Sequence, residues 1–187
     1  MNWILFGFKG VGKTYFGSRL GLPLIDTDQL IEERENRSIR ELIKQKGELY
    51  FRECERQVVQ TLCVANHIIA VGGGTVCDLE NLKHLQALGT LIYLRRTKES
   101  VKEKLLTPPL PTFLENETFE KHYSTRIAKY ERIPSIGIEL DGKTDQAILE
   151  ELWQVIKSAP FSGSLPGENH MAEPLALSST AAPRAYL

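Results

Sequence analysis

The chain has 187 residues, of which 42% are hydrophobic and 25% charged, so it can form one well-packed core but not two full domains. Its net charge of -1 at pH 7 gives no indication of a general affinity for nucleic acid or acidic membranes, although it is compatible with a local basic pocket. No apolar run approaches the length of a membrane span. The odd number of cysteines, Cys54, Cys63 and Cys77, is typical of reduced thiols in a cytosolic protein.

The chain begins with a short apolar run at residues 2–6, which predicts a buried strand, and a glycine loop and a helix follow. The loop at residues 7–14 fits the phosphate-loop pattern G-x-x-x-x-G-K-[ST] at every fixed position. In this arrangement backbone N–H groups surround phosphate oxygens. We expect Lys13 to reach the outer phosphates and the Thr14 hydroxyl to bind Mg²⁺. The expected nucleotide contacts are Gly10, Val11, Gly12, Lys13, Thr14 and Tyr15.

Strands and helices alternate along the rest of the chain. Four further strands are predicted at residues 24–26, 67–71, 90–94 and 136–139. Helices are predicted at residues 28–36, 38–46, 48–65, 78–88, 99–106, 118–132 and 144–157. This alternation indicates a parallel sheet that is covered by helices on both faces.

Two segments differ from the helices and strands around them. Residues 107–117 contain three prolines and form either a packed connection or a mobile lid over a phosphate site. Residues 158–187 are rich in Ser, Pro, Ala and Gly without sustained periodicity, which predicts a largely disordered tail. The expected ordered domain therefore spans residues 1–157.

Two aspartates follow the second predicted strand. Asp26 and Asp28 should border the crevice of a parallel sheet, because the first strand delivers the phosphate loop to the same edge. Asp26 is suited to holding Mg²⁺ through water, and Asp28 to binding or deprotonating a substrate hydroxyl. The alternative for Asp28 is an N-cap of the next helix.

Three further features are candidates for binding a ligand at this edge of the sheet. Arg52 and Glu55 share a helix face, so Glu55 can orient the guanidinium for a carboxylate, although an exposed Glu/Arg face is the simpler alternative. Residues 72–74 are three glycines, which expose backbone N–H groups to a ligand or form a plain flexible turn. Arg126 is a second candidate anion ligand, with ordinary surface charge as its alternative.

The order and spacing of these motifs resemble those of the shikimate kinases over about residues 1–157. The matching runs are GFKGVGKT, DTD, NRSIRELI, GExxFRxxE, the triple glycine and RIAKYE. The resemblance implies a nucleoside-monophosphate-kinase-like α/β P-loop fold in three layers, with five parallel strands in the order 2-3-1-4-5. It also implies a cytoplasmic monomer that uses ATP and Mg²⁺ to phosphorylate the 3-hydroxyl of shikimate, on the pathway to chorismate and aromatic amino acids. No nucleic-acid or membrane partner is expected.

The resemblance also implies roles for individual residues. Lys13 and Asp28 would be catalytic, Thr14 and Asp26 would serve the metal, and Glu55 would support Arg52. The shikimate contacts would be Asp28, Arg52, Gly73, Gly74 and Arg126. Two alternative hypotheses for the function remain. One is a kinase for another small polyol acid such as gluconate, and the other is a nucleotide-binding module without turnover.

The lid is where the sequence departs from the family. In the shikimate kinases the lid commonly carries Arg-Pro-Leu-Leu, and its arginine contacts the transferred phosphate. Residues 107–111 of this chain are TPPLP instead. No arginine lies within residues 101–125. Lys104 aligns with an arginine that stacks on adenine, so it is expected to contact ATP. The cations that can compensate for the missing arginine are Lys9, Lys102, Lys104 and Lys121.

Overall fold

The computed structural model describes residues 1–105 and 118–158, which form a five-stranded parallel sheet between helices. Its strands are β1 (Asn2–Phe6), β2 (Leu24–Asp26), β3 (Ile68–Ala70), β4 (Gly89–Arg95) and β5 (Ile136–Glu139). All four strand pairings are parallel, and the order is β2-β3-β1-β4-β5. The predicted fold class and strand order are therefore confirmed.

Helices connect the strands throughout the described residues. They are α1 (Lys13–Gly17), α2 (Thr27–Glu35), α3 (Ile39–Lys46), α4 (Glu48–Thr61), α5 (Leu79–Leu88), α6 (Lys98–Leu105), α7 (Phe119–Tyr130) and α8 (Asp145–Ser158). A short 3₁₀ turn, Thr75–Cys77, precedes α5. The Ser38 side chain and Glu41 form a reciprocal capping box that fixes the start of α3.

The end of α4 is the boundary that the sequence predicted least well. The helix stops at Thr61 rather than at residue 65, because Leu62 takes an extended conformation and buries its side chain in the core. The Asn2 side chain holds the segment that follows, since it donates to the Val64 carbonyl at 2.7 Å and accepts from the His67 N–H at 3.0 Å. This polar contact turns the chain back into the sheet earlier than helix periodicity alone predicts.

The apolar residues form two clusters. The main core surrounds the central strand β1, in which Trp3 and Phe6 are fully buried and Phe6 stacks on Tyr93 with ring centroids 4.9 Å apart. A smaller cluster lies beneath α2, α3 and α4, and its buried members are Ile31, Leu42, Phe51, Cys54 and Val58. Because these helices carry Asp28, Arg52 and Glu55, the smaller cluster fixes one wall of the cleft described below.

Some expectations concern residues that the structure does not describe. The lid predicted at residues 107–117 lies outside the described residues, as does the tail from residue 159 onwards. Ser158, which was assigned to the tail, instead belongs to α8. Across the described ranges, no helix combines the length and apolar character needed to span a membrane. Cys54, Cys63 and Cys77 are free thiols.

Candidate active site

A cleft of about 660 Å³ opens at the carboxyl ends of β1, β2 and β3. The phosphate loop, α2, α4, the glycine turn and α7 all line it. It brings together all of the predicted site residues but two. The exceptions are Lys104 and Val11, and the Val11 side chain lies in the core. Parallel strands deliver these side chains to one edge, as the sequence pattern predicted.

The backbone of the phosphate loop depends on its glycines at two positions in particular. A Cβ atom on Gly7 would lie 2.5 Å from the Leu94 carbonyl oxygen, so only glycine lets the loop pass this close to β4. Gly12 has a φ of 94° at the start of α1, a conformation that side-chain-bearing residues rarely adopt. Val11 is buried between them and anchors the loop to the core.

Lys13 is held by the loop itself. Its ammonium donates to the carbonyl oxygens of Gly7 and Phe8, each at 3.1 Å. Desolvation in the cleft lowers the pKa of Lys13 to about 8, against the opposing influence of Asp28 and Asp26. A phosphate group bound nearby would favour the charged ammonium, so this lysine is well placed to neutralise phosphate charge.

Asp26, rather than Asp28, caps α2. One Asp26 oxygen accepts from the backbone N–H groups of Asp28 at 2.9 Å and Gln29 at 3.3 Å. The other oxygen accepts from the Thr14 hydroxyl. The capping role that the sequence offered as an alternative for Asp28 is therefore taken by its neighbour.

The pairing of Thr14 with Asp26 suits Mg²⁺. Hydroxyl and carboxylate oxygens are ligands that this ion accepts, and it usually keeps several waters and shares phosphate oxygens instead of filling an all-protein cage. Thr14 and Asp26 therefore fit a metal that arrives with nucleotide.

Asp28 carries a carboxylate oxygen that is buried beside Gly72. Its Oδ1 has no hydrogen bond among the described residues, and a Cβ atom on Gly72 would lie 2.5 Å from it. Burial, followed by repulsion from Asp26, raises the pKa of this carboxyl to about 6. A carboxylate with these properties can accept a proton near neutral pH.

The three successive glycines of residues 72–74 each pack against a different charged side chain. A Cβ atom would approach the Asp28 carboxylate from Gly72, Arg126 Nη1 at 2.9 Å from Gly73, and Arg52 Nη1 at 2.5 Å from Gly74. Such close packing on all three residues is inconsistent with a plain flexible turn. The three glycines therefore form one wall of the cleft, and Asp28, Arg126 and Arg52 all pack against it.

Arg52 and Glu55 do not form an exposed surface pair. Glu55 is 1% exposed and accepts from Arg52 Nη1 at 3.0 Å through one oxygen and from the Thr75 hydroxyl at 2.7 Å through the other. Arg52 also donates to Glu48 at 3.0 Å. The guanidinium is thereby oriented with part of its surface open to the cleft.

Arg126 reaches the same cleft from α7. Its guanidinium carbon lies 5.9 Å from the centroid of the Phe8 ring, beside Gly73. One turn later, the Tyr130 hydroxyl donates to the Gly73 carbonyl and holds the glycine turn against α7. Two cationic side chains, Arg52 and Arg126, thus line one cleft, an arrangement that can bind a carboxylate.

Two expected nucleotide contacts lie at the periphery. The Tyr15 hydroxyl donates to Asp145 at 2.7 Å, and the Arg19 guanidinium carbon lies 3.6 Å from the centroid of the Tyr15 ring. Lys104 sits on α6 with its Cβ 4.0 Å from where a Gly10 Cβ would stand, and it does not line the cleft. Its contact with adenine stays a prediction.

Sequence reasoning missed some residues that build the site. Thr75 is fully buried and bonds Glu55, while Gly72 makes room for Asp28. Tyr130 fixes the glycine turn. Position was the only available signal. Gly72 belongs to the triple glycine, of which only Gly73 and Gly74 were assigned to the substrate, and Thr75 follows it. Tyr130 stands four residues after Arg126.

Comparison with known proteins points to one family. The family model described as "Shikimate kinase" matches residues 9–157. A shikimate kinase of Bacillus mycoides is 36% identical over 157 residues, covering 80% of this chain and 94% of its own. One of Syntrophus aciditrophicus is 33% identical over 184 residues, covering 86% and 93%.

Solved structures share the fold. The shikimate kinase of Aquifex aeolicus has a TM-score of 0.73 at 25% identity, covering 87% of this chain and 100% of its own. The shikimate kinase of Acinetobacter baumannii, solved in complex with shikimate, has a TM-score of 0.77 at 24% identity, covering 86% and 95%.

Proposed function

Because the chain belongs to the shikimate kinase family, we propose that it transfers the γ-phosphoryl group of ATP to the 3-hydroxyl of shikimate. The products are ADP and shikimate 3-phosphate. The observation that carries this proposal is the packing of Asp28, Arg126 and Arg52 on three successive glycines beside the phosphate loop. Donor and acceptor sites thereby share one cleft.

Arg52 and Arg126 bind the substrate carboxylate in this proposal. Glu55 holds the Arg52 guanidinium in place, so little conformational entropy is lost when the carboxylate binds. Gly73 and Gly74 carry no side chain, and the substrate ring can therefore approach the backbone. The two guanidinium groups place the 3-hydroxyl next to Asp28.

The chemical step is an in-line displacement at phosphorus. The substrate 3-hydroxyl oxygen forms a bond to the γ-phosphorus while the bond from phosphorus to the bridging oxygen breaks, and its electron pair stays on ADP. Asp28 orients the hydroxyl and takes its proton. Lys13 neutralises charge on the phosphates. Catalysis therefore depends on positioning and electrostatics, without a covalent enzyme intermediate.

Thr14 and Asp26 would hold Mg²⁺, the first through its hydroxyl and the second through water. When bound, the ion supplies charge neutralisation at the phosphates. All residues in this scheme come from one chain, and we therefore propose that the protein acts as a monomer. The free thiols are consistent with a cytoplasmic location. Residues 1–157 would be the whole kinase domain, with residues 107–117 as its lid.

The proposal is tested by ADP release in a coupled assay with shikimate, with gluconate and without acceptor. We expect release that depends on shikimate, and ³¹P NMR should show the new phosphate ester at the 3-position. Lys13→Ala provides the inactive control. Faster release with gluconate, or the same release without acceptor, would overturn the proposal.

A further inference from the structure

Lys9 lies where the phosphate loop meets the glycine turn. A Cβ atom on Gly73 would stand 3.4 Å from the Lys9 backbone nitrogen and 2.9 Å from Arg126 Nη1. The Lys9 side chain is exposed and lines the cleft. Its neighbour Phe8 is buried, so the Lys9 backbone is fixed beside the glycine turn while its side chain lines the cleft.

The Lys9 ammonium has no assigned task within the described part of the chain. There it donates no hydrogen bond and forms no ion pair, whereas Lys13 bonds two loop carbonyls and Arg52 bonds two glutamates. Lys9 is nevertheless close enough to Lys13 and Asp28 to interact electrostatically with both. These are the groups proposed to face the donor phosphate and the acceptor hydroxyl.

The other lysines that the sequence offered as replacements for a lid arginine are less well placed. Lys102 pairs with Glu120 at 2.9 Å, and Lys121 is exposed and already engaged in an interaction. Lys104 is exposed on α6 outside the cleft. Of these four lysines, Lys9 is the one that lines the cleft.

We propose that Lys9 contacts the transferred phosphoryl group and neutralises the charge that builds on its equatorial oxygens, an inference that rests on the proposed function. Phosphoryl transfer spreads negative charge over these oxygens, and an additional cation there stabilises the transition state more than the ground state. Lys9 supplies this charge from the fixed phosphate loop. The role needs no arginine within residues 101–125, where the sequence has none.

The kinetic test compares Lys9→Met, which keeps the length of the side chain but removes its charge, with Lys9→Arg, which keeps the charge. Turnover of Lys9→Met should fall on the order of 100-fold, which is the loss typical when one hydrogen-bond donor to the transition state is removed from an enzyme. The affinity for ATP should be nearly unchanged. Lys9→Arg should restore most of the turnover. Lys83→Met is the matched control, because Lys83 is exposed and pairs only with Glu80 among the described residues.

A binding test separates this inference from the proposed function. Calorimetry would compare the affinity for ADP alone with that for ADP plus aluminium fluoride, a mimic of the phosphoryl group in transfer. Lys9→Met should lose affinity for the second complex only. A wild-type protein that does not phosphorylate shikimate would overturn the function, and this measurement would still decide the role of Lys9.

Two results would overturn the inference about Lys9. One is turnover and fluoride-complex affinity of Lys9→Met close to wild type. The other is a larger loss in Lys102→Met than in Lys9→Met. Circular dichroism melts check that each variant is folded, and Lys9→Gln serves as a second neutral variant if Lys9→Met is unstable.

Discussion

Replacing Gly74 by alanine is expected to weaken shikimate binding while the fold and ATP binding are retained. Gly74 has φ -103° and ψ -15°, which alanine adopts without strain, so the effect comes from the added methyl group alone. That methyl would stand 2.5 Å from Arg52 Nη1 and 2.9 Å from its guanidinium carbon. Ordinary contact requires about 3.5 Å, so the guanidinium must retreat by about 1 Å.

The retreat breaks the arrangement that presents Arg52 to the substrate carboxylate. The 3.0 Å bond from Arg52 to Glu55 is lost or lengthened, and Glu55 is nearly fully buried. The displaced guanidinium should therefore lose one hydrogen bond to the substrate carboxylate. A hydrogen bond to a charged group contributes about 2 kcal/mol, which corresponds to about 30-fold in affinity. We therefore expect the Kd of shikimate to rise by about this factor.

Calorimetric titration with shikimate and with an ATP analogue measures both affinities, and a thermal melt reports the fold. Gly137→Ala is the matched control, because its methyl would lie 3.1 Å from the guanidinium carbon of Arg95, an arginine on β4 outside the cleft. Unchanged shikimate affinity in Gly74→Ala would refute the placement of Arg52. Equal losses for both ligands would indicate general damage to the cleft.

Four further predictions follow from the same geometry. Lys13→Ala should abolish measurable ADP release while circular dichroism shows an intact fold, and near-normal turnover would contradict its role at the phosphates. Arg52→Lys should raise the Kd of shikimate on the order of tenfold and leave that of ATP unchanged, because lysine lacks the fork that binds a carboxylate; equal losses in titrations would make Arg52 structural. Because the pKa of Asp28 is raised to about 6, kcat/KM should fall as pH drops through 6 and the carboxylate is protonated; a flat profile down to pH 5 would exclude Asp28 as the base. Deletion of residues 161–187 should leave Tm and turnover nearly unchanged, and a large drop in either would show that these residues contribute to the domain.

Local sequence patterns predict the parts of the fold that depend on neighbouring residues. The phosphate loop follows from fixed glycines and Lys13, and the start of α3 follows from the Ser38 cap. Alternating strands and helices indicated a parallel sheet, while the order of its strands came from the resemblance to a family. The end of α4 was not predictable in this way, because it depends on contacts with the Asn2 side chain, which is 62 and 65 residues away in sequence.

Long-range contacts also account for what sequence reasoning missed in the site. The sequence offered Asp28 as the alternative cap of α2, and only the bonds from the backbone N–H groups of Asp28 and Gln29 identify Asp26 as the cap. Burial of Glu55 requires the Thr75 hydroxyl, which is 20 residues away in sequence. Single-residue alternatives such as surface charge were therefore reasonable for Arg52 until the partners of Glu55 were known.

The division of apolar side chains between two clusters joins the cleft wall to the sheet through α4. Val58 packs in the smaller cluster, whereas the adjacent Val59 packs in the main core. Arg52 lies on the same helix, so its position depends on how α4 packs against both clusters. Substitutions at Val58 or Cys54 are therefore expected to shift α4, and Arg52 with it, without changing a residue that lines the cleft.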